Sequence, residues 1–252
     1  MDQIEIPVRY YMDYPGGYDY AFEDLALPCA ECAFLLVDVD GGYSVKDGAA
    51  HPTTEKFIAP ALSAARTVGM KVAYVHNDMR QVVDPGNIAC EFWTKTKFAK
   101  GNMVDAWAKS GDDFKPTYAP CVAPREGEPN FAKWMWSGFR DTFLDTRLRS
   151  WGIRTLFVVG YSRRACLHYT CAEAVGRNYR VILLRDCSNS SGEIEMPDTL
   201  DDSLPEGGWI NRITLRNFEH LIGYTTTAAQ FIQSCENVKQ TLAQPQLAAV
   251  KA

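Results

Sequence analysis

The chain has 252 residues, of which 46% are hydrophobic and 23% charged, and its net charge is −5. That is the composition of a folded globular protein, long enough for one large α/β domain or two small ones. The charge gives no general attraction to nucleic acid or to an anionic membrane. Apolar runs such as 156–160 and 181–184 fall far short of a membrane span. The opening Met-Asp-Gln-Ile-Glu lacks the basic-then-apolar pattern of a signal peptide, so a cytoplasmic location is expected.

Residues 1–28 hold Tyr10, Tyr11, Tyr14, Tyr18, Tyr20 and Phe22, interrupted by Pro15-Gly16-Gly17. Neither a helical nor a strand period is sustained. An N-terminal aromatic arm (1–32) is therefore expected, packed over its own domain or a neighbouring subunit. Residues 33–37 are a continuous apolar run, the pattern of a strand buried on both faces in a parallel sheet. It ends in Asp38-Val39-Asp40-Gly41-Gly42-Tyr43. Ligand sites in open α/β sheets lie beyond the carboxyl ends of strands. On position alone, Asp38 is either a catalytic carboxylate or a solvated turn residue.

Thr53 or Thr54 then caps a helix whose apolar face includes Phe57, Ala61, Leu62, Ala65 and Val68, with Pro60 near its start and Gly69 as its stop. Residues 71–75 predict a second strand, ending at His76-Asn77-Asp78, where the histidine reads as hydrogen-bonded structure. Residues 88–98 look helical. Residues 99–130 carry Gly, Pro, Lys and Asp with weak periodicity, and a segment so long predicts an excursion with short helices, or a lid. Residues 130–136 predict a short strand carrying Lys133. Trp134 and Trp136 beside it either wall a planar pocket or pack in a core or interface.

A helix follows, with Phe143, Leu144 and Leu148 on one face and Gly152 as its stop. Residues 155–159 predict the next strand, which runs into Gly160-Tyr161-Ser162-Arg163-Arg164-Ala165-Cys166 and a small-residue helical pattern. Asn178 suits the left-handed cap of that helix. Residues 181–184 are another buried strand, 189–210 a polar, acidic loop and 218–224 a last strand. Thr225, Thr226 and Thr227 then lead into a helix through Phe231 and Ile232. Strands alternating with helices predict an α/β fold: one doubly wound, Rossmann-like domain over 33–240, with a mostly parallel six-stranded sheet, helices on both faces, and a C-terminal tail from 241.

Eight cysteines in such a chain read as thiols rather than a disulfide framework. Cys29 and Cys32 form a CxxC, but no second pair follows and none of the four histidines is near in sequence. Cys90, Cys121, Cys171, Cys187 and Cys235 read as small apolar fillers. Cys166 differs. It falls on the first turn of a helix after a tight turn, where free N–H groups and the helix dipole favour a thiolate and can hold an oxyanion.

A free thiol is mostly protonated near neutral pH, so a nucleophilic cysteine needs a base. Asp38 can take its proton and later return it to a departing nitrogen. Lys133 can stabilise the thiolate and keep Asp38 ionised. No histidine falls at a comparable strand end before the cysteine, which argues against a Cys-His pair. No Gly-x-Gly-x-x-Gly or P-loop follows the first strand, which argues against a nucleotide-binding protein.

On these residues the chain resembles the isochorismatase-like cysteine hydrolase superfamily. The family's Asp-x-Gln-x-x-Phe/Tyr after an apolar strand is matched by Asp38 to Tyr43, its Lys with Phe six residues on by Lys133 and Phe139, and its Gly-x-x-Thr-x-x-Cys by Gly160 to Cys166, with Arg163-Arg164 in place of the usual Thr-Asp/Asn. An Asn-Tyr-Arg-Val strand start, 178–181, follows in the same order. The resemblance covers roughly residues 33–235 and implies Cys166 as nucleophile, Asp38 as general base and acid, and Lys133 as their electrostatic partner. It implies an oxyanion hole from the N–H groups of Ser162 and Cys166, with a cis peptide between Tyr161 and Ser162. The implied activity is cleavage of a C–N bond in a small linear amide, ureide or N-carbamoyl compound through a thioester. Alternatives are another C–N substrate, such as a lactam or hydrazide, or a non-catalytic small-molecule-binding member of the fold.

The Asp-x-His-x5-His cluster of metal-dependent relatives is missing after the second strand, so no metal and no other cofactor is expected. Substrate contacts are expected from Asp40, Tyr43, Trp136, Phe139, Tyr161 and Arg163. Asp40 stands where the family has Gln, an acceptor-only group suited to N–H donors. Arg163 suits a substrate carboxylate or carbonyl, or pairs with acidic neighbours or a subunit. A homo-oligomer, dimer or tetramer, is expected, with a small-molecule amide or ureide as substrate.

Overall fold

The computed structural model describes residues 2–41, 45–46, 49–78, 87–96, 115–188 and 209–249. Its strands are β1 (Gln3–Tyr14), β2 (Gly17–Pro28), β3 (Cys32–Val37), β4 (Val45–Lys46), β5 (Ala49–Ala50), β6 (Lys71–Asn77), β7 (Asn130–Lys133), β8 (Thr155–Gly160), β9 (Arg180–Leu184) and β10 (Tyr224–Thr226). Its helices are α1 (Ala59–Thr67), α2 (Ile88–Thr96), α3 (Leu144–Ser150), α4 (Cys166–Gly176), α5 (Trp209–Leu221) and α6 (Ala228–Ala249). β4 and β5 form a small ladder of their own.

The main sheet has eight strands in the order β2-β1-β10-β9-β8-β3-β6-β7. From β10 to β7 every neighbouring pair is parallel, and β1 joins β10 and β2 antiparallel. Six strands are the expected parallel core. The two extra ones come from the N-terminal segment, which is a hairpin rather than an irregular arm. Ile4, Ile6 and Val8 alternate with exposed or half-exposed neighbours and are buried, a strand period that the crowd of tyrosines obscures. Gly16 follows Pro15 with φ 117°, the positive φ that the second position of this tight turn requires. Arg9 ties the hairpin to α5 through Glu219, at 2.8 Å.

β3 shows why a continuous apolar run suits a parallel strand. Phe34 and Leu36 face one core layer, with Ile58, Ala61 and Leu62 of the α1 region and Phe231 of α6. Ala33, Leu35 and Val37 face the other, with Leu144 and Leu148 of α3 and Leu167 and Cys171 of α4. Alternate side chains need two covered faces, and the helices supply both.

Several boundaries follow the expected residues. Gly69, Gly152 and Asn178 all have positive φ, as helix stops do. Thr227 and Gln230 bond each other's backbone N–H at 3.1 and 3.2 Å, a capping box for α6. Other positions differ. The apolar residues after 215 belong to α5, because Leu215 and Phe218 are buried three apart on a helical face. The last strand is three residues at Tyr224, and Gly223 before it lies so close to β9 that a Cβ would be 2.5 Å from the Val181 carbonyl oxygen. Phe143 precedes α3 and is 78% exposed, so only Leu144 and Leu148 make its apolar face. Cys121 is exposed and fills no core. Of the expected excursion, 99–114 lie outside the described residues. The part from 115 to 129 is turn and coil, pinned to α1 and β6 by Arg66 and Tyr74. No helix among the described residues is long and apolar enough to cross a membrane.

Candidate active site

Four adjacent parallel strands, β8-β3-β6-β7, end together. Their register pairs Val37 with Gly160 and with Val75, and Asn77 with Lys133. The residues just beyond those ends must therefore meet, however far apart they lie in the chain. Backbone hydrogen bonds fix the exits: Asp38 N–H donates to the Val75 carbonyl at 2.9 Å, Tyr161 N–H to Val37 at 2.8 Å, and Asp78 N–H to Lys133 at 2.7 Å. Gly160 has φ 118°, and a Cβ there would lie 1.9 Å from the Val37 carbonyl oxygen, so only glycine lets β8 turn here. Asp38 itself has φ 51°, a left-handed conformation uncommon for a residue with a side chain.

Lys133, Asp38 and Cys166 converge as expected. The Lys133 ammonium donates to Asp38 Oδ2 at 3.0 Å, and their side chains are 0% and 5% exposed. Burial pulls the Lys133 pKa down, but Asp38 and then Cys166 outweigh it, so the pKa is raised and the ammonium stays charged. Asp38 Oδ1 is buried with no hydrogen-bond partner among the described residues, so one carboxylate oxygen holds the lysine and the other is free to accept a proton.

Cys166 opens α4 at the predicted place, yet its thiol does not behave as the helix terminus alone suggests. Burial first, then the Asp38 carboxylate, push it up to about 12, against the pull of the Lys133 ammonium. The resting group is a thiol. A group so protonated needs a proton acceptor close by if its sulfur is to act as a nucleophile.

The peptide between Tyr161 and Ser162 is cis. Ala165 and Leu167 N–H groups donate to the Ser162 carbonyl at 2.9 and 3.3 Å, closing the turn that carries the thiol. As the first residue of α4, Cys166 has an N–H without an acceptor inside the helix. Thr170 Oγ1 accepts from Gly138 N–H at 2.9 Å and donates to the Cys166 carbonyl at 2.7 Å, joining the loop after β7 to the first turn of α4.

Asn77 is the residue that sequence reasoning missed. Its amide oxygen accepts from Lys133 at 2.5 Å, its amide nitrogen donates to Asp38 Oδ2 at 2.9 Å, and that nitrogen is 3.8 Å from Cys166 Sγ. It thus touches all three. The available signal was its place, the end of the strand beside β3, where attention went to His76 instead. His76 is structural: its Nδ1 pairs with Asn130 Oδ1 at 2.7 Å, and burial lowers its pKa.

The expected substrate contacts divide. Asp40 is half-buried, within electrostatic reach of Asp38 and Lys133. Trp136 packs, partly buried, against the core layer that Cys166 borders. Tyr43 lies outside the described residues. Three expectations need correction. Phe139 is 2% exposed and stacks on Tyr179 at 5.8 Å, which makes its ring core. The Tyr161 ring is fully buried in the opposite layer, beside His51 and Thr54. Arg163 is buried, its guanidinium donating to the backbone carbonyls of Arg185, Ser188 and Asn211. Those three carbonyls past the end of β9 and in α5 use the fork that was expected to face a ligand, so Arg163 braces the turn before Cys166.

Among the described residues no group of three or more His, Cys, Asp or Glu is arranged to hold a metal ion. The chain matches the family described as Isochorismatase domain over residues 32–199. It is 26% identical over 228 residues to the ureidoacrylate amidohydrolase RutB of Variovorax paradoxus, covering 84% of each chain. It is 27% identical over 224 residues to the RutB of Methylorubrum extorquens, covering 83% of this chain and 84% of that one. Among solved structures it is similar to a cysteine hydrolase from Pseudomonas syringae pv. phaseolicola, with TM-score 0.64 and 24% identity over 84% of this chain and 95% of that one. It is also similar to N-carbamoylsarcosine amidase from Thermoplasma acidophilum, with TM-score 0.52 and 23% identity over 79% of this chain and 96% of that one. On the strength of that domain match and the shared fold, the chain belongs to the isochorismatase family.

Proposed function

We propose that the protein is an amidohydrolase that cleaves a C–N bond in a small linear amide, ureide or N-carbamoyl compound through a thioester on Cys166. The observation that carries this reading is the buried carboxylate of Asp38 beside the Cys166 thiol, one oxygen held by Lys133 and the other without a hydrogen-bond partner among the described residues. Related chains named as amidohydrolases support it.

Asp38 Oδ1 takes the thiol proton as Sγ attacks the carbonyl carbon. The lysine is the counter-ion of Asp38 and offsets the negative charge that passes to sulfur. Negative charge then develops on the substrate oxygen, where the Ser162 and Cys166 N–H groups stabilise it; each such donor is worth roughly 3 kcal/mol in comparable sites. Asp38, now carboxylic acid, gives its proton to the nitrogen, and ammonia or an amine leaves. Asp38 next removes a proton from water, which hydrolyses the thioester and restores the thiol. Asn77 holds the lysine and the carboxylate in register throughout.

The experiment is ammonia or amine release from a panel of ureides, N-carbamoyl compounds and simple amides. Release that depends on Cys166, disappears in Cys166→Ala and is blocked by iodoacetamide is the expected result. Equal release by wild type and Cys166→Ala would refute the reading.

A further inference from the structure

Among the described residues the ammonium that acts on the Cys166 thiol is that of Lys133, and it is committed to Asp38 Oδ2 and the Asn77 amide oxygen. Arg163, the buried arginine of the same turn, spends its guanidinium on backbone carbonyls. Beside the Asp38–Lys133 pair stands a second carboxyl group, Asp40, two residues beyond Asp38 on the segment leaving β3. That segment is pinned by the Gly41 N–H to the Thr117 carbonyl at 2.9 Å. Asp40 is half-buried, and no ion pair reaches it among the described residues. It senses Asp38 and Lys133, and the Tyr118 phenol senses it. Among the described residues no cation pairs with this carboxyl group; Lys133 acts on it only from beyond ion-pair distance.

We propose that Asp40 sets the charge class of the substrate: the site favours amides and ureides that bring N–H donors or a positive charge to this carboxylate, and disfavours those that bring a carboxylate there. The argument is electrostatic. Like charges in a partly desolvated pocket repel by more than they would in water, while a donor or cation replaces the solvent the carboxylate loses. Specificity then comes as much from the repulsion as from the attraction. The protonation of Asp40 agrees with this picture. Burial first, and then Asp38, push its carboxyl up to about 7 against the pull of Lys133, and a bound cation would bring it back down.

The proposal deepens the amidohydrolase reading and rests on the same pocket, so its test avoids turnover. Binding of aminoethylurea and ureidopropionate, two ureides of similar size and opposite charge, is measured by calorimetry on the full chain carrying Cys166→Ala, with Asp40 intact, Asp40→Asn or Asp40→Glu. With Asp40 intact, aminoethylurea binds at least tenfold more tightly. Asp40→Asn brings the ratio to threefold or less, and Asp40→Glu, which keeps the charge, retains most of it. A ratio near one in the parent, or one that Asp40→Asn leaves unchanged, overturns the proposal. Amidohydrolysis is judged separately, by Cys166-dependent ammonia release from the same two ureides. Either reading can thus fail while the other stands.

Discussion

Replacing Lys133 by methionine removes the ammonium and keeps most of the side chain's volume. It leaves Asp38, 5% exposed, with a buried charge that has lost its counter-ion, while Asn77 still donates to it. Two unit charges 3.0 Å apart attract by about 5 kcal/mol at an effective dielectric constant of about 20. Much of that is offset by the cost of desolvating both ions, so the pair as a whole adds little to stability. Removing one partner is different, because the other ion keeps its desolvation cost; such changes cost about 3–5 kcal/mol. Lys133→Met is therefore expected to lower the unfolding free energy by about that amount in urea titrations at neutral pH. The double variant Lys133→Met/Asp38→Asn, which removes both charges, should be about 2 kcal/mol or more stabler than Lys133→Met alone. Both variants should lose roughly 100-fold or more of kcat/KM, because the proposed proton acceptor has lost either its counter-ion or its basic oxygen. A single variant as stable as wild type, or a double variant less stable than the single, would refute the claim that a stranded charge is what the lysine prevents.

Other predictions concern the frame around the thiol. Asn77→Ala removes the group that bonds both Lys133 and Asp38, and steady-state kinetics should show kcat reduced by about 10-fold or more with a smaller change in KM; unchanged kcat would make Asn77 a bystander. Gly160→Ala puts a Cβ into the Val37 carbonyl oxygen and forces alanine to φ 118°, so thermal unfolding should show a loss of about 3 kcal/mol or more, or no folded protein. Because the Asp40 carboxyl is pushed up to about 7 by burial and Asp38 against Lys133, with Tyr118 its other titrating neighbour, it is mostly protonated below that pH and ionised above it. The binding preference for aminoethylurea over ureidopropionate should then grow between pH about 6 and about 8 and stay flat in Asp40→Asn; a flat profile in the parent would contradict that assignment.

The parallel core and its site were legible because their signals are local. Runs of apolar residues marked β3, β8 and β9, and in a doubly wound sheet a residue just past such a run lies at the ligand end. That is how Asp38 and Cys166 stood out, and Lys133 followed from its place at the end of a short strand. Asn77 was not legible, since an amide has no charge to advertise and its role depends on which strand lies beside β3. The hairpin was hidden for another reason. Its tyrosines fall on both faces of the ribbon, Tyr10 and Tyr14 in step with Ile4, Ile6 and Val8 and Tyr11 opposite them, so they masked the period that the buried residues keep. Arg163 and Phe139 show what motif position cannot tell: where a side chain points is decided by packing, and here the carbonyls past β9 and the Tyr179 ring claimed them.

The central claim is that Cys166 becomes covalently acylated. Acid quenching during turnover of an amide, followed by mass measurement of the peptide carrying Cys166, should show the acyl group of the substrate on its sulfur. The adduct should vanish as substrate is consumed. The Cys166→Ala protein should show neither adduct nor ammonia release. Full ammonia release without the sulfur would contradict the account.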